Sequence, residues 1–118
     1  MLKVGILILA DTESHADMGR VSNALVIAKE FKEAGDKVKI IFDGAGSKWV
    51  TKLADKESPL NPLYSAVQDK VDGVCSYCAS AFGVKESVDA CGVECLEDYQ
   101  GHPSIQKLVA DGYQIITF

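Results

Sequence analysis

Val4-Gly5-Ile6-Leu7-Ile8-Leu9-Ala10 is followed by Met18, Val21, Ala24, Leu25, Ala28 and Phe31 at helical spacing, then by Gly35, then by Val38-Lys39-Ile40-Ile41-Phe42. An unbroken apolar run rich in branched side chains is the pattern of a strand buried on both faces. Apolar residues every three or four positions line one side of a helix, and a glycine just beyond them supplies its left-handed terminal residue. Strand, helix and strand at this spacing imply a right-handed crossover between parallel strands. The fold class is therefore expected to be α/β.

The rest of the chain continues the alternation. Ser47 can cap a short helix through Ala54, and Asn61 with Pro62 can start another through Gln68, with Asp55 to Pro59 as the loop between them. Val71 to Cys75 reads as a third strand despite Gly73, Val84 to Ala90 as a short helix closed by Gly92, and Val93 to Leu96 as a fourth strand. Pro103 suits the first turn of a last helix through Ala110, and Gly112 ends that helix before a fifth strand, Tyr113 to Phe118. The expectation is a three-layer α/β/α sandwich around a mainly parallel five-stranded sheet, formed as one domain over residues 1–118. Ligands of such sheets bind at the carboxyl ends of the strands, so chemistry is sought in the loops that follow them.

Composition narrows the function classes. The 118 residues are 47% hydrophobic and 25% charged, proportions of an ordinary globular domain that folds without disulfides or a structural metal. A net charge of -5 with no basic run argues against binding a phosphate backbone. Apolar stretches such as Val4 to Ala10 are too short to span a membrane. A secretory signal is also a poor fit, because Asp11 and Glu13 stand where small neutral residues would be needed. A cytoplasmic location is expected, where four cysteines are reactive or metal-binding rather than disulfide-bonded.

Two of the rim loops offer modest signals. Asp11, Thr12, Ser14 and Asp17 suit a turn and a helix start, while His15 beside them could exchange protons or pair with a thiolate. Asp43-Gly44-Ala45-Gly46-Ser47-Lys48 has the ingredients of a phosphate cradle but neither the dinucleotide nor the P-loop spacing, so its glycines are read as turning the chain. His15 and Asp43 are kept as contributors to the rim. Phosphoacceptor receivers and flavodoxins share the size and fold class, but the acidic pair of the first and the Ser/Thr-rich loop of the second are missing.

The cysteines are the strongest signal. Cys75-Ser76-Tyr77-Cys78 and Cys91-Gly92-Val93-Glu94-Cys95 have two, twelve and three intervening residues, close to zinc-site patterns. Cys91 falls at the end of an expected helix and Cys95 in or beside a strand, so both are assigned to the core and no metal or other cofactor is expected. Cys75 ends the third strand where a helical turn begins, a place where free amides can lower a thiol pKa and populate the nucleophile. With Cys78 three residues on, reactive thiol, dithiol redox and zinc-binding chemistry all stay open.

Cys75-Ser76-Tyr77-Cys78-Ala79-Ser80-Ala81-Phe82-Gly83-Val84 resembles the active-cysteine loop of the DsrE/DsrF-like sulfur-relay family. The order of elements, Phe42-Asp43-Gly44 after the second strand and a last strand ending in Phe118 are similar to that family as well. The resemblance implies a sulfur carrier or sulfurtransferase in which Cys75 accepts sulfur as a persulfide and passes it to a partner protein, with Cys78 as a second site residue able to resolve that persulfide. Phe82 stands before Gly83 where relay members often have arginine. Donor and acceptor proteins are the implied partners, with no nucleic acid and no membrane, and a homotrimer or hexamer is the implied assembly. Val26 and Ile27, apolar beyond the core stripe, are its expected contact. A non-catalytic small-molecule or protein-binding module of the same fold is the alternative.

Overall fold

The computed structural model describes residues 1–118. Strand β1 (Lys3–Ile8), helix α1 (His15–Glu33) and strand β2 (Lys37–Phe42) form the expected crossover unit, with β1 and β2 parallel and paired from Lys3 and Lys37 to Ile8 and Phe42. Ser14 caps α1 by accepting the Asp17 N–H at 3.0 Å, and Gly35 leaves the helix at a φ of 82°. Helices α2 (Trp49–Ala54) and α3 (Asn61–Val67) lead to β3 (Val71–Cys75), followed by α4 (Ser76–Ala81) and α5 (Lys85–Ala90). Then come β4 (Cys95–Leu96), α6 (Ile105–Ala110) and β5 (Gln114–Thr117). The sheet is parallel throughout, in the order β4-β3-β2-β1-β5.

Alternate residues of the strands face two unequal layers, which gives the α/β/α sandwich. Val4, Ile6, Ile8, Val38, Ile40, Phe42 and Val74 meet Val21, Ala24, Leu25 and Ala28 of α1, together with side chains from α2, α3, α4 and α5. Each large side chain fully buried there contributes roughly 1.5–3 kcal/mol. On the opposite face Ile41 and Leu96 pack with Leu108 of α6, flanked by Leu7, Tyr113, Ile115 and Ile105. No helix is long and apolar enough to cross a membrane.

Several local expectations change. Strand β4 has two residues instead of four, and Gly73 serves it: a side chain there would press on the Glu94 carbonyl and on Leu96. Ser47 does not cap a helix. It lies buried inside a 3₁₀ turn, Gly44–Lys48, that is capped by Asp43, while Lys48 occupies the cap position of α2 without a side-chain hydrogen bond. Pro103 stands just before α6 instead of in its first turn: the helix starts at Ile105, and Ser104 caps it by accepting the Lys107 N–H at 3.2 Å. Ile27 packs against the main core, which leaves Val26, 52% exposed, as the surplus apolar residue of α1.

Candidate functional site

Three loops at the carboxyl end of the sheet converge on one place. Asp43 follows β2 directly, and its Oδ1 accepts the Gly44 N–H at 2.8 Å. The turn it caps is seated on the end of β1, because the Asp43 N–H donates to the Ile8 carbonyl at 2.9 Å and Gly46 leaves no room for a side chain against that same carbonyl. The glycine-rich stretch thus turns the chain closely over β1 and delivers a carboxylate to the rim. Cys75 ends β3 and caps α4, its Sγ accepting the Cys78 N–H at 3.4 Å. One helical turn on, the Cys78 thiol donates to Asp43 Oδ1 at 3.3 Å.

The third loop follows β4. Tyr99 and His102 exchange N–H···O bonds of 2.8 Å across Gln100 and Gly101, whose φ values of 49° and 80° are those of a type I′ turn. The turn docks on α4, where the Tyr77 N–H donates to the Gly101 carbonyl at 2.8 Å and the Tyr77 and His102 rings lie 4.9 Å apart. This puts His102 Nδ1 3.2 Å from Cys75 Sγ. Ligand atoms of Asp43, Cys75, Cys78 and His102 all lie within 4.8 Å of one another.

The structure brings Asp43, Cys75 and Cys78 together and leaves His15 out. His15 is exposed at the start of α1 and lines a separate cleft of about 450 Å³ with Met18, Trp49, Lys52, Asp55 and Leu60. The imidazole beside the thiol is His102, which the sequence reading does not single out. Its signals were Gln100-Gly101, suited to a tight turn, and Pro103, which disfavours helical backbone at the preceding residue. Cys91 and Cys95 are half-buried against the main core, and Cys95 Sγ lies 3.7 Å from Asp89 Oδ1, so the four cysteines do not assemble into one thiolate set.

An exposed, activated thiolate at Cys75 is not what forms. Cys75 is 0% exposed beneath the Tyr99–His102 turn, and burial, reinforced by the Asp43 carboxylate, pushes its thiol from the ordinary 9.0 up to about 12. Helix α4 is six residues long and the Cys78 N–H is the amide that reaches the sulfur, too little to offset that burial. Phe82 is 44% exposed, and Lys48 Nζ stands 5.4 Å from its ring centre while pairing with Asp11 Oδ1 at 2.6 Å. A cation is thus present beside Phe82, supplied by Lys48.

A parallel α/β sheet with two thiols, an imidazole and a carboxylate gathered at its carboxyl rim defines a small thiol protein. The chain belongs to the DsrE/DsrF-like family, whose sequence profile matches residues 5–118. It is similar to an uncharacterised protein of Methanocaldococcus jannaschii, 35% identical over 116 residues that make up 98% of this chain and 94% of the relative. A conserved protein of unknown function from Bacteroides thetaiotaomicron has a similar fold, with a TM-score of 0.64 over 97% of this chain and 94% of that one at 20% identity. Family membership points to a function of the sulfur-relay type.

Proposed function

We propose that this protein is a sulfur carrier that accepts sulfur as a persulfide on Cys75 and hands it to a partner protein, with Cys78 as the resolving thiol. The observation that carries the reading is the 3.2 Å contact between Cys75 Sγ and His102 Nδ1. A buried thiol needs a base within hydrogen-bond reach, and with the ring proton on Nε2 the His102 Nδ1 accepts the Cys75 proton. The Cys78 N–H then faces the sulfur anion. Cys78, one helical turn on, donates its thiol proton to Asp43 Oδ1 at 3.3 Å and stands as the second thiol of the pair.

In loading, the Cys75 sulfur attacks the outer sulfur of a donor persulfide. A Cys75 S–S bond forms, the donor's S–S bond breaks, and the donor thiolate leaves with the proton held by His102. In delivery, an acceptor thiol gives its proton to His102 and attacks the outer sulfur of Cys75-S-SH; the new S–S bond forms on the acceptor, the Cys75 S–S bond breaks, and Cys75 departs taking up that proton. Without an acceptor, Cys78 attacks the inner sulfur, hydrosulfide leaves, and a Cys75–Cys78 disulfide forms with no added oxidant. Access requires the Tyr99 side of the Tyr99–His102 turn to swing aside while His102 stays against the sulfur, and Tyr99, 63% exposed, offers a docking partner a handle on it. Donor and acceptor are thus proteins that present a persulfide or a thiol to this rim.

The test is intact-mass and peptide analysis of the reduced protein after exposure to a low-molecular-weight persulfide donor. One added sulfur on Cys75, lost in Cys75→Ser and longer-lived in Cys78→Ser, is expected. Absence of sulfur gain, or equal gain on all four cysteines, overturns the reading in favour of a non-catalytic binding module.

A further inference from the structure

The four side chains at the rim have a geometry that thiol chemistry alone does not require. A tetrahedral zinc site, with metal–sulfur distances of about 2.3 Å and metal–nitrogen or metal–oxygen distances of about 2.0–2.2 Å, has ligand–ligand edges of roughly 3.3–3.8 Å. Here the His102 Nδ1 to Cys75 Sγ edge is 3.2 Å, the Asp43 Oδ1 to Cys78 Sγ edge is 3.3 Å, and no pair exceeds 4.8 Å. Forming the tetrahedron lengthens the two short edges by a few tenths of an ångström and closes the widest by about 1.5 Å at most.

We propose that Asp43, Cys75, Cys78 and His102 form a closed binding site for a zinc-type divalent cation. The donor set selects the metal: two thiolates disfavour magnesium and calcium, while a carboxylate and an imidazole beside them favour zinc over a cuprous ion. The ligands are also held from behind. Asp43 Oδ1 is fixed by the Gly44 N–H, Cys75 Sγ by the Cys78 N–H, and the His102 ring by the I′ turn and Tyr77, the kind of support that orients metal ligands. On binding, each thiol releases its proton to solvent as its sulfur bonds the metal, and nothing is oxidised or reduced. Four protein ligands leave no open coordination position, so the ion is held rather than used as a Lewis acid.

On sequence alone a four-cysteine set is weighed, Cys91 and Cys95 are assigned to the core and no metal is expected, whereas this set takes a carboxylate and an imidazole from other loops in their place. Because the ion takes both sulfurs, metal binding and persulfide loading exclude one another. That last consequence rests on the sulfur-carrier reading; the site itself does not.

Anaerobic titration of the reduced, full-length protein with Co²⁺ tests it, with no sulfur donor present, so its outcome is independent of the persulfide experiment. One equivalent should bind with thiolate-to-cobalt charge-transfer absorption and the strong ligand-field bands of tetrahedral coordination, both bleached by one equivalent of Zn²⁺. Cys91→Ser/Cys95→Ser should bind as the wild type does. His102→Gln and Asp43→Asn should each bind about tenfold or more weakly, with circular dichroism reporting the fold. Zinc K-edge absorption of the wild-type protein, which needs no variant, should return two sulfur and two lighter ligands. Absence of saturable binding, octahedral spectra, undiminished affinity in both His102→Gln and Asp43→Asn, or a four-sulfur shell overturns the proposal.

Discussion

His102 Nδ1 lies 3.2 Å from Cys75 Sγ although 27 positions separate the two residues in the chain. The contact exists because β3 and β4 end side by side in a parallel sheet, with Val74 beside Cys95 and Cys75 beside Leu96, and because the chain beyond β4 doubles back through an I′ turn. A buried thiol thus has an imidazole nitrogen from another loop within hydrogen-bond reach, the proton acceptor of the proposed mechanism.

Replacing that acceptor should slow chemistry without unfolding the protein. His102→Gln keeps a polar group of similar reach but removes the base, and general-base catalysis is worth roughly 10²–10⁴-fold in rate. Persulfide gain on Cys75 should therefore slow by about 10²-fold or more, with the circular dichroism spectrum unchanged. A time course of sulfur gain by mass spectrometry measures this. Loading at the wild-type rate would remove His102 from the mechanism.

Burial sets the order in which the two thiols meet a small alkylating agent. Cys78 is half-buried and Cys75 is fully buried, so iodoacetamide should label Cys78 first in the native protein and Cys75 only as the Tyr99–His102 turn opens. Peptide mapping at successive times gives the order, and a denaturant should remove the difference. Labelling of Cys75 ahead of Cys78 at neutral pH would mean that the turn does not cover it in solution.

What sequence reveals of this protein is divided by range. The β1-α1-β2 unit is legible because its signals are local and mutually consistent: a doubly buried strand, a helical stripe and Gly35 at positive φ. Asp43, Cys75 and Cys78 are legible as neighbours because parallel strands bring their carboxyl ends to one rim. Ser47 misleads because Asp43 and Ser47 are both good caps within five residues, and only the fit of Gly46 against the Ile8 carbonyl decides between them. The burial of Cys75 and the approach of His102 both depend on how the turn after β4 docks on α4, a tertiary contact with little local signature.

Alkaline pH should destabilise the metal-free protein from about pH 9 upward. Burial raises the Cys75 thiol from 9.0 to about 12 and the Tyr64 hydroxyl from 10.0 to about 12. Both groups are neutral when protonated, and the folded chain keeps those protons to higher pH than the unfolded chain. Between the unfolded and folded values the native state binds more protons, so stability falls as pH rises. The contribution is complete below pH 9 for Cys75 and below pH 10 for Tyr64, and it is lost through the windows ending at about 12. Urea midpoints across this range should fall, and they should fall less in Cys75→Ser and in Tyr64→Phe. A flat profile in the wild type would contradict the burial of both groups.

Two glycine-to-alanine changes should move stability in opposite directions, and one of them should reach the site. Gly19 lies in α1 with nothing within 4 Å of where a Cβ would stand. Alanine there restricts the unfolded chain and favours the helix, so Gly19→Ala should stabilise by roughly 0.5–1 kcal/mol. At Gly46 a Cβ would run into the Ile8 carbonyl and close on Leu9 Cα, both backbone atoms that no side-chain rotation can clear. The Gly44–Lys48 turn must lift off β1, and Gly46→Ala should destabilise by about 1–3 kcal/mol. Lifting the turn also carries Asp43 away from Cys78, which it contacts at 3.3 Å. Thermal melts of the two variants give the opposite signs, and alkylation gives the second readout: half-buried Cys78, uncovered as the turn and Asp43 move away, should react faster in Gly46→Ala than in the wild type, while Gly19→Ala leaves its rate unchanged. Equal melting temperatures for Gly46→Ala and the wild type would show that the turn does not sit on β1 as described.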